Sequence, residues 1–134
     1  MRVVLDTNVL ISGIFFGGIP SRILDAWAMD RFSVYASPLI LEEYLRVINR
    51  MRSTQAQKAV VDQWSAMLPK ICHMIPDQRL PHAVSRDPSD DKFIACATGA
   101  KAGYLVTGDL DLKTIRWEAD FKIVSPAPFF KILK

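Results

Sequence analysis

The chain is predicted to be an α/β protein, a three-layer αβα sandwich around a mostly parallel sheet of about five strands. Three observations predict this. Short apolar runs of the fully buried type, such as VVL at 3–5 and YLV at 104–106, alternate with stretches of helical periodicity. Helix-start residues recur between them: Ser37-Pro38, Thr54 with Gln57, and Pro88-Ser89. The length of 134 residues, 50% of them hydrophobic and 23% charged, suits one ordinary domain with its own core. The whole span 1–134 is therefore expected to be a single unit.

In chain order, residues 2–5 form the first buried strand, and 8–16 a short helix ended by Gly17-Gly18. A second helix is expected over 22–29, after Pro20 and Ser21, and a strand over 32–36. Ser37 as N-cap and Pro38 at the first helical position open a helix to about Arg52. Thr54 and Gln57 make a capping-box pattern for a helix that should stop near Pro69. A strand over 70–75 precedes a proline-bearing loop over 75–88. Pro88-Ser89 opens a helix to about Lys101, ended by Gly103. A strand at 104–106, a helical turn at 110–114 and a last strand at 121–125 complete the pattern.

The composition excludes some classes. No apolar stretch approaches the length of a membrane span, and Asp6 and Asn8 interrupt the first apolar run too early for a secretory signal. Cys72 and Cys96 lack metal-type spacing and are expected to be reduced, buried thiols in a cytoplasmic protein. The net charge of +3 and pI near 9.0 permit a nucleic-acid partner without demonstrating one. The acids, however, are unevenly spread: Asp87, Asp90, Asp91, Asp109 and Asp111 crowd two short segments.

Two apolar strands end abruptly in a carboxylate: VVL in Asp6, and YLV, through Thr107-Gly108, in Asp109. Parallel strands would carry both acids to the carboxyl edge of the sheet, where open α/β folds place their crevice. The ordinary explanation of Asp6 is a helix N-cap. In the 38–52 helix, Leu39, Ile40, Leu41, Tyr44, Val47, Ile48 and Met51 make a broad apolar stripe. Glu43 falls on its rim while Glu42 points nearly opposite; an ion pair with Arg46 would equally explain Glu43. At the 89–101 helix the wheel puts Asp91 at the edge of the apolar face and Asp90 nearer its centre. Geometry leaves both open, and acids in a first turn also favour the helix dipole. Taken together, acids at four element ends repel one another, and a divalent cation removes that penalty. Oxygen-only ligands suit Mg²⁺ or Mn²⁺, and acids around such ions serve in-line phosphoryl hydrolysis.

The stretches VVLDTNVLIS at 3–12, SPLILEEYLRVI at 37–48, DPSDDKFIACA at 87–97 and YLVTGDLDL at 104–112 resemble those of PIN-domain proteins. The resemblance is to the toxin components of toxin–antitoxin pairs, the VapC-like ribonucleases, and its motifs span essentially the whole chain. It implies a divalent-metal-dependent endoribonuclease that uses Mg²⁺ or Mn²⁺. Asp6, Glu43, Asp91 and Asp109 match the family's acids as metal ligands and catalytic groups, which selects Asp91 over Asp90. Thr7, Asn8 and Thr107 match supporting positions, and Asp111 an auxiliary acid. The family's habit is a homodimer restrained by a small antitoxin protein, with RNA as substrate.

Other residues carry less. Arg46 and Arg50, one helical turn apart, can line a phosphate track that Arg52 and Lys58 extend, or form a solvated basic face. Trp27, Trp64 and Trp117 do not cluster and are read as packing rather than base stacking. His73 and His82 are read as structural or solvated, and Ser12 as a neighbour of the metal site. Phe15, Phe16, Ile19 and Trp27 offer apolar surface for a partner. Two other functions compete. One is a haloacid-type phosphatase or phosphotransferase with Asp6 as nucleophile, which Asn8 disfavours because that motif carries a second aspartate there. The other is a non-catalytic metal-binding interaction module.

Overall fold

The buried strands and their helices assemble in the predicted order. The computed structural model describes residues 1–80, 90–109, 112 and 120–134. The strands are β1 (Arg2–Leu5), β2 (Ser33–Ala36), β3 (His73–Met74), β4 (Tyr104–Val106) and β5 (Lys122–Val124). The helices are α1 (Thr7–Phe15), α2 (Gly18–Ala28), α3 (Pro38–Asn49), α4 (Gln55–Ile71), α5 (Asp91–Gly99) and α6 (Pro126–Leu133). All strand pairs are parallel, in the order β3-β2-β1-β4-β5, with Val3 opposite Val34 on one side and Tyr104 on the other. Val3, Val4 and Leu5 are fully buried, as the central strand of a sheet covered on both faces must be. The result is the three-layer αβα sandwich.

Local chemistry explains where boundaries moved. Gly17 and Gly18 both take positive φ (74° and 71°), which breaks the helical path after α1 and lets α2 begin at Gly18 rather than at Arg22. Gly13 permits the close approach of the two helices, because a Cβ there would stand 2.6 Å from Leu24 Cδ1 and 2.8 Å from the Pro20 carbonyl oxygen. Thr54 and Gln57 form the full capping box of α4. Pro69 does not stop that helix: it lies in the last turns, and Cys72 N–H still reaches the Leu68 carbonyl at 3.1 Å. The strand expected over 70–75 shrinks accordingly to β3, paired with Tyr35 and Ala36.

The helix α3 ends at Asn49, short of Arg52, and its expected stripe is narrower, with Leu39 50% exposed. For α5 the reversal comes earlier than Gly103. Lys101 takes the left-handed conformation (φ 53°), and Ala102 N–H closes on the Ala97 carbonyl at 2.9 Å in the hydrogen-bond pattern of a Schellman cap. The helix α6 was not anticipated, although Ser125-Pro126 repeats the start signal of Ser37-Pro38. It seats Phe129, fully buried, edge-on to Phe32 and Tyr104 at centroid distances of 5.5 and 5.7 Å. The helix start at Pro88-Ser89 and most of the turn expected over 110–114 lie outside the described residues. Among the described residues, no single helix is long and apolar enough to cross a membrane. Cys72 and Cys96 are free and buried, and burial pushes both thiols up to about 12.

Candidate active site

The strand order reverses between β1 and β4, so the carboxyl ends of these neighbours form a topological switch point. Asp6 follows β1 there, its N–H donating to the Val106 carbonyl at 2.9 Å. Its side chain is 95% buried and accepts a hydrogen bond from Thr107 Oγ1 at 2.6 Å. The same hydroxyl accepts from the Asp109 backbone N–H at 3.0 Å. One fully buried threonine thus ties the carboxylate of β1 to the turn that carries Asp109. Asp6 also stands at the N-cap of α1, but its side chain makes no capping hydrogen bond, so the ordinary reading of that residue is not the one adopted.

The third acid comes from α3. Glu43 is 17% exposed and Glu42 70%, as the wheel predicts. The two oxygens of Glu43 have different partners. Oε2 accepts from the Thr7 hydroxyl, and Oε1 pairs with Lys92 Nζ at 2.8 Å and more distantly with Arg46 at 3.9 Å. The neighbouring Tyr44 anchors the helix to the sheet, its buried hydroxyl donating to the Leu5 carbonyl one residue before Asp6.

These side chains border a cleft of about 300 Å³, lined by Asp6, Thr7, Asn8, Glu43, Arg46, Val47, Arg50, Asp90 and Asp109. Asp90, in the turn leading into α5, lines it; Asp91, the first residue of that helix, is not among the lining side chains. Both are half-buried. Arg46 and Arg50 stand together on the α3 wall. Ser12 is half-buried on α1 and does not line the cleft. Asp111, His82 and Trp117 lie outside the described residues.

Charge accumulates in this cleft at a cost. Burial raises the Asp6 carboxyl above its ordinary value; the Thr107 hydrogen bond lowers it, the Glu43 charge raises it, the Thr7 backbone N–H lowers it and the Asp109 charge raises it. The net direction is upward, so the ionised site calls for positive charge. Lys92 already supplies one, standing as an internal cation against Glu43. Among the described residues, the oxygen donors that line it are the carboxylates, the Thr7 hydroxyl and the Asn8 amide, with no thiol or imidazole, which fits a hard divalent ion. Among the described residues no three acidic, cysteine or histidine side chains form a closed metal cluster. Both oxygens of Glu43 are engaged by protein partners instead.

Lys92 and Tyr44 were missed by sequence reasoning. The first is recognisable only as a lysine directly after two acids, the second only as one aromatic in an apolar stripe. The weaker candidates fall elsewhere. Trp27 and Trp64 do meet, with centroids 6.3 Å apart, and border a separate apolar groove between α2 and α4. His73 is exposed and stacks on Tyr35 at 4.9 Å. Phe16 is 72% exposed, whereas Trp27 is buried.

A PIN domain family model matches residues 2–111. An uncharacterized protein of Methanocaldococcus jannaschii is 32% identical over 121 residues, covering 88% of this chain and 77% of the relative. Two solved structures share the fold at 15% identity, each match covering 93% of this chain and 98% of the other. They are VapBC2 from Rickettsia felis bound to a DNA fragment from their promoter (TM-score 0.62) and FitAcB from Neisseria gonorrhoeae (TM-score 0.64).

Proposed function

The chain belongs to the PIN-domain family, and from that premise we propose that it is a divalent-metal-dependent endoribonuclease, the cytoplasmic toxin of a toxin–antitoxin pair. The observation that carries the reading is the convergence of Asp6, Glu43, Asp90 and Asp109 from four separate elements on one cleft at the switch point. Mg²⁺ or Mn²⁺ held there would supply Lewis acidity toward a scissile phosphate and a more acidic bound water. Asp6 and Asp109 would hold the ion from the sheet edge, kept in mutual register by Thr107. Glu43, oriented by Thr7 through Oε2, would join them as a ligand through Oε1. Arg46 and Arg50 hold the flanking phosphates of a single strand along α3. Asn8, at the mouth, is an auxiliary contact.

For the acid from the start of α5, the lining of the cleft favours Asp90, whereas the family motif favours Asp91. Asp90 would then be the ligand and Asp91 its supporting neighbour in the first helical turn. An antitoxin partner and a homodimer belong to the same reading, which the shared fold with VapBC2 and FitAcB supports. A phosphatase with Asp6 as nucleophile is less well supported, because Asp6 is 95% buried and its Oδ2 is occupied by Thr107.

The test is incubation of purified protein with RNA and DNA pools of matched length, with Mg²⁺, with Mn²⁺ and with excess chelator. RNA cleavage that requires the ion, and that is abolished in Asp6→Asn and Asp90→Asn but reduced less in Asp91→Asn, is expected. Cleavage that survives chelation removes the metal mechanism, and loss in Asp91→Asn alone reassigns the α5 acid.

A further inference from the structure

We propose that Lys92 is a built-in counter-cation that competes with the divalent ion for Glu43 and so sets the ion concentration at which the site loads. The inference rests on the reading of the cleft as a divalent-metal site. Lys92 Nζ lies 2.8 Å from Glu43 Oε1, and the two side chains are only 15% and 17% exposed. This is a sheltered pair, unlike that of Arg46 with the same oxygen, which is longer at 3.9 Å and involves a side chain 54% exposed. The other oxygen of Glu43 is taken by Thr7, so the carboxylate has no unengaged oxygen to offer an incoming ion.

An ammonium at hydrogen-bond distance and a divalent ion on the same oxygen repel strongly in a partly buried site. Each therefore weakens the other's hold on Glu43. Thr7 follows directly on Asp6 where β1 passes into α1, whereas a lysine ends in a compact charge on a flexible four-carbon stem and can withdraw. The position of Lys92 suits the role: it is the second residue of α5, directly after Asp90 and Asp91, and its ammonium reaches Glu43 on α3. In the ion-free protein it offsets one negative charge of a cleft whose buried Asp6 already feels Glu43 and Asp109. When the ion takes Glu43, that task passes to the metal. The exchange lowers the apparent affinity of the site, since part of the binding free energy goes into breaking the ion pair.

The experiment measures Mn²⁺ binding directly, by calorimetry and by the electron paramagnetic resonance signal of free Mn²⁺, without any RNA. Lys92→Met and Lys92→Gln should each bind Mn²⁺ about tenfold more tightly than wild type, while Lys92→Arg, which keeps the charge, should not. A second readout follows Lys92 itself, in the wild-type protein with Asp6→Asn as its control. Acetylation of Lys92 by acetic anhydride, followed by mass spectrometry, should accelerate when Mn²⁺ is added to the wild-type protein and stay unchanged in Asp6→Asn. Equal or weaker Mn²⁺ binding in both neutral variants, with binding still abolished by Asp6→Asn, overturns the role of Lys92 and leaves the metal site standing. Wild-type protein that binds no Mn²⁺, or binds it as well after Asp6→Asn, overturns the metal site and this proposal with it.

Discussion

Thr107→Val removes one hydroxyl and tests whether the buried carboxylate is held as described. The side chain is fully buried, and its oxygen serves two partners, Asp6 Oδ2 at 2.6 Å and the Asp109 N–H at 3.0 Å. Valine fills nearly the same volume, so lost hydrogen bonding dominates over cavity formation. A hydrogen bond to a buried charged group contributes about 1.5–3 kcal/mol and the backbone bond about 0.5–1.5, for a combined loss of about 2–4.5 kcal/mol. The assay is urea unfolding at pH 7 in chelator, comparing wild type, Thr107→Val and Thr107→Ser, the last of which keeps the hydroxyl. The hydroxyl lowers the Asp6 carboxyl against the upward push of burial, so its removal raises that group further. The valine variant therefore binds a proton more readily when folded, and its deficit should narrow as pH falls toward 3.8, the ordinary value. A deficit below about 0.5 kcal/mol at pH 7, well under the hydrogen-bond estimate, would refute the reasoning, as would one independent of pH.

Two further predictions follow from the same structure. Asp6→Asn should be more stable than wild type at pH 7 without divalent ions. The native carboxyl titrates above 3.8, so its stability contribution is full below that pH and is lost as pH rises through the folded value. Thermal unfolding across pH should show the gain shrinking on acidification, and saturating Mn²⁺ should raise the melting temperature of wild type but not of the variant; an asparagine variant less stable at pH 7 counts against a strained charge. Gly13→Ala should lose about 1–2 kcal/mol in urea unfolding, because overpacking against Leu24 and Pro20 outweighs the helix preference of alanine. An alanine variant as stable as wild type would mean that α1 and α2 separate easily.

Much of this fold was legible because its signals are local. The uninterrupted apolar runs at 3–5 and 104–106 read as buried parallel strands, and Thr54 with Gln57 marked a helix start to the residue. Misjudged boundaries came from residues whose preference yielded to context. Pro69 was tolerated near a helix end, and Lys101 adopted a conformation ordinarily left to glycine. In the site, the period of α3 separated Glu43 from Glu42 because one helix face is buried and the other wet. No such asymmetry separates Asp90 from Asp91, which sit where the chain enters a helix and the wheel has no fixed origin. The ion pair of Lys92 with Glu43 spans two elements 49 positions apart, and no pattern along the chain encodes it.

Under the proposed function, the acids of this cleft would hold a divalent ion and the cleft would hydrolyse an RNA phosphodiester with water. The chemistry of the cut ends tests it most directly. Sequencing of cleaved RNA after enzymatic discrimination of its termini should reveal 5′-phosphate and 3′-hydroxyl ends, produced by wild type with Mg²⁺ or Mn²⁺ and not by Asp6→Asn. Ends bearing a 2′,3′-cyclic phosphate, or the same ends from Asp6→Asn, would contradict it.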